Sequence, residues 1–153
     1  MKLFLIVIQL CIYNTNSETI NFMEMGARPN DNSFPVCQNN TVILNKILSN
    51  LHSNDIFIIP NNTFWLNGGV YSNNLNNIKI IIDGILIYQD NRLLWPHDKN
   101  NIVAECMFLE QSNNITITSN NLGIINGNGD NWWGIYNYLK YGENRPRLLQ
   151  IKN

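Results

Sequence analysis

Asn76-Asn77-Ile78-Lys79-Ile80-Ile81-Ile82-Asp83-Gly84-Ile85-Leu86 sets a polar asparagine pair, an almost unbroken β-branched run, a turn dipeptide and a second apolar run end to end. Branching at Cβ favours extended backbone, and Asp-Gly favours a tight turn. The motif recurs downstream, where Asn113-Asn114 precedes Ile115-Thr116-Ile117-Thr118, and Asn120-Asn121-Leu122 leads into Ile124-Ile125. A polar turn followed by a strand, repeated, is what stacked coils require. Asparagine side chains placed one above another can also satisfy each other and the backbone.

Short apolar runs fill the chain beyond Asp55: 56–59, 64–66, 78–82, 85–88, 107–109, 115–117, 124–125 and 148–151. Asn-, Gly- and Pro-containing turns separate them, at Pro60-Asn61-Asn62, Asn67-Gly68-Gly69 and Asn126-Gly127 among others. Many short strands so punctuated indicate an all-β fold. No helical stretch suited to a βαβ crossover lies between them, which disfavours a doubly wound sheet. The recurrence favours a parallel solenoid over a hairpin sandwich or barrel.

Upstream, 21–40 reads as an extended lead, on the strength of its polar punctuation, Gly26-Ala27 and Arg28-Pro29. Ile43, Leu44, Ile47, Leu48 and Leu51 then recur at helical spacing behind Thr41, a candidate N-cap. This predicts a short amphipathic helix of about three turns, whose apolar face could close the end of a solenoid.

The 153 residues, 44% of them hydrophobic, suit a single domain. Only 14% are charged and the formal net charge is −1, so no field gathers phosphates, and nucleic acid is not an expected partner. Residues 1–17, with Lys2, the apolar run Leu3 to Ile8 and a polar end at Ser17, read as a signal peptide, leaving 18–153 as the mature domain. The apolar run is shorter than the ~20 residues of a membrane-spanning helix, so the expected product is secreted and free of the membrane. Cys11 would leave with the signal, and Cys37 and Cys106 could form a disulfide or stand as two separate buried thiols. Asn39, Asn61 and Asn114 head Asn-x-Thr triplets and are glycosylation candidates in a secretory lumen. Asparagine makes up about a fifth of the chain, so such triplets arise readily by chance.

The most specific segment is Gly123-Ile124-Ile125-Asn126-Gly127-Asn128-Gly129-Asp130-Asn131-Trp132-Trp133-Gly134. It is not a dinucleotide loop, since Trp132 stands where the third glycine would be. It resembles the Gly-x-Ile-(Asp/Asn)-Gly-x-Gly-x-x-Trp-Trp signature of polygalacturonases, the pectin-hydrolysing glycoside hydrolases, and Arg145-Pro146-Arg147-Leu148 resembles their Arg-Pro-x-Leu stretch. Ile58-Ile59-Pro60-Asn61-Asn62-Thr63-Phe64 and Ile82-Asp83-Gly84-Ile85-Leu86 resemble further turns of that family, and Phe22 to Ala27 with Thr41 to Leu51 resemble its leading segment and capping helix. After Ala27 the family's Asp-Gly-rich stretch is replaced by Arg28-Pro29-Asn30-Asp31-Asn32.

The resemblance implies a right-handed parallel β-helix, incomplete at its C-terminal end, and a polysaccharide substrate of the galacturonan type with no cofactor or metal. It implies no catalytic residue in this chain. The family's Asn-Thr-Asp, Asp-Asp, Gly-His-Gly and Arg-Ile-Lys elements do not occur, and no two of the eleven acidic residues are adjacent. Inverting hydrolysis needs one carboxylic acid for the leaving oxygen and one carboxylate for water. Asp83, Asp90 and Asp130 read as turn residues instead. His52 and His97 lack the neighbours of a zinc site. Trp132 and Trp133 read as structural, covering the flank of the helix, rather than as sugar-stacking. Arg145 and Arg147 could reach a galacturonate carboxylate, but pairing with Glu143 or a turn carbonyl is the plainer expectation. A non-catalytic secreted β-helix that binds polysaccharide or joins a surface coat is the competing reading.

Overall fold

A computed structural model describes residues 17–98, 100–132 and 145–152. The proposed signal segment lies outside them except for Ser17, and Trp133, Gly134 and Glu143 lie outside them as well. In chain order the elements are β1 (Thr19–Asn21), α1 (Phe34–Asn50), β2 (Ile56–Ile59), β3 (Thr63–Leu66), β4 (Val70–Asn73), β5 (Asn76–Ile82), β6 (Ile85–Tyr88), β7 (Met107–Glu110), β8 (Asn113–Thr118), β9 (Ile124–Asn126), a 3-10 turn (Gly129–Trp132) and β10 (Gln150–Lys152).

The strands form three small parallel sheets, ordered β1-β2-β5-β8, β10-β7-β4 and β3-β6-β9. The expectation of an all-β, single right-handed solenoid with a short cap is therefore corrected. The described residues combine a 17-residue helix with three separate small sheets. The physical reason is that from β2 to β6 each strand is only four to seven residues long and a short turn re-aims the chain before the next, so these successive runs join different sheets.

The helix also begins earlier than its apolar spacing indicates. Ser33 is the N-cap residue in extended conformation, and its carbonyl accepts from the Val36 and Cys37 amides at 3.0 and 2.9 Å. Pro35 sits in the first turn, where its missing N–H costs nothing. Thr41 is not the cap but a buried mid-helix residue. Its hydroxyl donates to the Asn67 carbonyl at 2.9 Å and accepts from the Asn67 amide at 2.8 Å. The extended lead expected over 21–40 thus gives way to helix from Phe34, because polar residues there bond across to other strands rather than to solvent. Asn40, fully buried, receives the Arg28 amide at 2.8 Å and donates to the carbonyls of Arg28 and Trp65 at 2.9 and 3.1 Å.

α1 lies against β3 and β4, the outer strands of two sheets, while β1 pairs with β2 at the same end of the third. Asn45 donates to the Gly69 carbonyl and accepts from the Tyr71 amide, at 3.1 and 2.9 Å. Strand edges that would otherwise template another chain are occupied at this end.

Alternation places one face of each strand inside. Register puts Phe57 beside Ile80 and Ile80 beside Ile117, Phe64 beside Leu86 and Leu86 beside Ile125, Val70 beside Met107, and Leu109 beside Ile151. Full burial of the inward Phe57, Ile80, Phe64, Leu86, Val70, Met107 and Leu109 contributes about 1.5–3 kcal/mol each, whereas Ile117 and Ile125 are partly buried and Ile151 is exposed. Phe22 fills the α1 end of this core, 4.9 Å from the Phe64 ring centroid and edge-on to Phe57 at 5.9 Å. The β4 strand was absent from the sequence expectations because Val70-Tyr71-Ser72-Asn73 contributes a single aliphatic residue to the interior.

Candidate functional site

The tryptophan segment is built on close backbone approach. Register between β6 and β9 sets Gly123 level with Gly84. A Cβ on Gly123 would lie 1.8 Å from the Ile82 carbonyl oxygen, and one on Gly84 2.2 Å from that of Pro60. No side chain fits either corner. Asn126 then accepts the Asn128 amide at 2.9 Å, closing a turn with Asn128 at φ 45°. Gly127 allows Leu148 to pack against its backbone, and Gly129 opens the 3-10 turn that delivers Trp132.

Trp132 is 4% exposed and meets Trp95 edge-on, with ring centroids 5.2 Å apart and an interplanar angle of 76°. The Arg92 guanidinium stands 5.6 Å above the Trp132 ring. Trp95 in turn lies over Gly68, where a Cβ would fall 2.3 Å from the ring, and donates to the Ala104 carbonyl at 2.8 Å. Trp132 is buried against Trp95, where the sequence led to the flank of α1 being expected as its support. The expectation for Trp133 lies outside the described residues.

The glycine-tryptophan segment and the Arg-Pro segment come together. Gly127, Gly129 and Trp132 share a cavity of about 260 Å³ with Arg145, Pro146, Leu148 and Cys106. Arg147 points elsewhere. Its guanidinium is 3.5 Å from Glu105, whose other carboxylate oxygen accepts the Arg147 amide, while the expected partner Glu143 lies outside the described residues.

The acids weighed in the sequence are held in turns. Asp83 accepts from the Asn120 amide at 2.7 Å, the Asn120 side chain at 3.1 Å and the Ser119 hydroxyl at 3.3 Å. These bonds, the Asn120 amide first, hold its carboxyl below the ordinary aspartate value. Asp90 accepts from Asn131 at 2.6 Å. Asp130 is the second residue of the 3-10 turn. Buried Asp55 accepts the Glu18 and His52 amides at 2.8 and 2.7 Å. His52 stands 3.9 Å from Asp55, and His97 bridges Val103 through its backbone. Among the described residues no group of three or more His, Cys, Asp or Glu is placed to hold a metal. No described helix is long and apolar enough to cross a membrane.

Cys37 and Cys106 are unpaired and buried, which resolves the two readings toward separate thiols. Burial pushes the Cys106 thiol up to about 12 and raises that of Cys37 as well. Of the glycosylation candidates, Asn39 is exposed on α1 and Asn61 is exposed in the turn between β2 and β3. Asn114 is exposed too, but its side-chain nitrogen donates to Asn77.

Sequence reading missed a groove of about 680 Å³ on the outer face of the β10-β7-β4 sheet, bordered by Pro96, His97, Asp98 and Ile102 to Ala104. Tyr71 and Phe108 form an aromatic ledge within it, ring centroids 5.6 Å apart at 61°. Glu110 accepts the Tyr71 hydroxyl at 3.0 Å, which raises the phenol pKa, and also faces Lys152 at 3.6 Å. Glu105, Asp98 and His97 line the same groove. The only sequence signal was the period-two alternation of Val70-Tyr71-Ser72-Asn73, which turns Tyr71 outward.

Compared with protein-family profiles, curated proteins and solved structures, the chain gives no match.

Proposed function

We propose that this chain is the N-terminal part of a secreted polygalacturonase-like glycoside hydrolase, one that cleaves pectin-type galacturonan by inverting hydrolysis. In this reading the residues in hand supply framework and the catalytic carboxylates come from elsewhere in the protein. The observation that carries it is the meeting of Gly127, Gly129 and Trp132 with Arg145 and Pro146 around one cavity. Those are the two segments whose resemblance suggested the family, and a chance likeness gives no reason for them to pack together. The engagement of Asp55, Asp83 and Asp90 in turn hydrogen bonds supports the assignment of a framework role.

Two measurements test the proposal. Sequencing the transcript past the Asn153 codon is expected to find an open frame encoding Asn-Thr-Asp, Asp-Asp, Gly-His-Gly and Arg-Ile-Lys elements. A stop codon at that point, with a stable product in the medium, overturns it in favour of a non-catalytic secreted protein. The longer product should release reducing ends from polygalacturonate with inversion at the anomeric carbon, whereas the 153-residue chain should release none.

A further inference from the structure

Three Asn-Gly dipeptides occur in the chain, at Asn67-Gly68, Asn126-Gly127 and Asn128-Gly129. In such a pair the glycine amide nitrogen can attack the asparagine side-chain carbon, because glycine has no Cβ to shield it. Folding sets how freely each pair reaches that geometry, and here it separates them.

Asn67 is held against the reaction. It is 6% exposed, and its side-chain oxygen accepts from the Gly68 amide at 3.0 Å and from Gln89 at 2.8 Å. The Gly68 nitrogen thus commits its proton to the oxygen of the group it would have to attack. The Asn67 side-chain nitrogen, which would leave, donates to the Leu94 carbonyl at 3.3 Å. Gly68 is buried beneath the Trp95 ring, away from the water that must remove its proton.

Asn126 is placed the other way. It is exposed at the end of β9, an outer strand of its sheet. Its side-chain oxygen accepts the Asn128 amide at 2.9 Å, which folds the carboxamide forward over the intervening Gly127 peptide. That donor points at the oxygen on which negative charge develops when the carbon is attacked. Asn128 is half-buried, holds φ 45° and is followed by Gly129 at the start of the 3-10 turn, so the backbone rotation that ring closure needs is restrained there.

We propose that Asn126 is a site of spontaneous deamidation, the first of the three Asn-Gly pairs to react in the folded chain. The Gly127 nitrogen gives its proton to hydroxide and bonds to Asn126 Cγ. The Cγ–Nδ2 bond breaks, and Nδ2 takes a proton from water and leaves as ammonia. Water then opens the succinimide ring at either carbonyl, leaving aspartate or isoaspartate, and either product adds a negative charge. Isoaspartate also lengthens the backbone by a carbon just ahead of Gly127, against which Leu148 packs and after which the turn to Trp132 begins. The modification therefore acts on the support of Trp132, and the inference does not rest on the hydrolase reading.

Peptide mapping by mass spectrometry, after the full chain is incubated in heavy-oxygen water at mildly alkaline pH, tests this. The label separates conversion in the native chain from conversion during digestion. Asn126 should convert at least about tenfold faster than Asn67, and ahead of Asn128. In guanidinium that spread should collapse, since it is folding that distinguishes the pairs. Gly127→Ala, whose methyl would meet the flexible end of Leu148 at 3.2 Å, should slow conversion at Asn126 by about tenfold or more and leave Asn67 unchanged. Native conversion of Asn67 at a rate matching Asn126 overturns the proposal, as does Asn128 reacting ahead of Asn126 or an Asn126 that converts only in guanidinium. An unchanged Asn126 rate in folded Gly127→Ala also overturns it, and the comparison of native with denatured chain decides the matter if that variant does not fold.

Discussion

The Asn114 side-chain amide donates to the Asn77 side-chain oxygen at 2.7 Å, and Asn77 donates in turn to the Ser53 hydroxyl at 3.0 Å. Both asparagines hold positive φ, 54° at Asn77 and 51° at Asn114, and Asn54 beside Ser53 has φ 76°. These left-handed residues precede or begin β2, β5 and β8, neighbours in one sheet, so each pass turns at the same height. Asparagine is chosen twice over, for tolerating that backbone and for linking its side chain to the next turn.

Asn77→Val is therefore expected to destabilise the chain by about 1–3 kcal/mol, since a β-branched residue resists positive φ and leaves Asn114 without its acceptor. Asn77→Gly keeps the backbone freedom and should cost less. Urea midpoints of the two variants against the parent check the order, and a Val variant as stable as the Gly variant contradicts it.

Gly123→Ala should be far more damaging than Gly26→Ala. At Gly123 the new methyl would sit 1.8 Å from a carbonyl oxygen fixed in β5, whereas at Gly26 the nearest group is the flexible end of Ile43 at 3.8 Å. Gly26 has φ 98°, so its substitution still carries backbone strain of about 1–3 kcal/mol. Thermal unfolding should show a loss above about 3 kcal/mol for Gly123→Ala. Equal midpoints for the two would mean the corner at Ile82 can move.

Trp132→Ala is expected to cost about 3–5 kcal/mol, the usual range for removing a buried large aromatic, while Trp132→Phe retains an edge toward Trp95 and should cost less. Because Trp132 packs on Trp95 beneath Arg92, its removal should also change native fluorescence beyond the loss of one emitter. An unaltered melting curve for Trp132→Ala would remove the structural role assigned here.

What the sequence showed and what it concealed divide by range of interaction. The runs from Ile56 to Ile59 and from Ile85 to Tyr88 were legible to the residue, because strand propensity and the flanking turns agree there. The start of α1 was not, because Asn40 and Thr41 sit inside a helix only by virtue of bonds to Trp65 and Asn67, some 25 residues away. Grouping of the strands into three sheets was likewise beyond a reading that sees turns but not the angle through which each redirects the chain. Of the sites, the glycine corners were legible as motif. The partnership of Trp132 with Trp95 was not, since Leu93-Leu94-Trp95-Pro96 carries no period that marks it as an aromatic support. Tyr71 and Phe108 come together only because β4 and β7 pair with Tyr71 opposite Phe108.

The thiols offer a check on burial. Cys106, pushed up to about 12, and Cys37, also raised by burial, should be inert to a thiol-reactive dye at pH 8 in the native chain. Carrying Cys11→Ser confines the signal to these two. Labelling should become rapid in guanidinium, and brisk native labelling would contradict the burial of both side chains.

Acid should loosen the corner at Asp83. Its folded pKa lies below the ordinary 3.8, the Asn120 amide being the largest cause and the Asn120 side chain the next. A carboxylate with a depressed folded pKa contributes stability that is fully present above the unfolded value and is lost as pH falls through the folded one. The loss from this group therefore begins below about pH 5 and completes below its lowered pKa. Asp31, lowered by bonds to Ser33, adds to the same window from the helix start. Asp83→Asn should flatten the fall in stability between pH 5 and pH 2 without reshaping it above pH 6, as read from urea midpoints across that range. Asp31→Asn should remove a separate part of the slope. The double variant distinguishes the two, because the residues sit in different turns and their effects should add; a slope unchanged in Asp83→Asn would mean that the Asn120 bonds do not persist in solution.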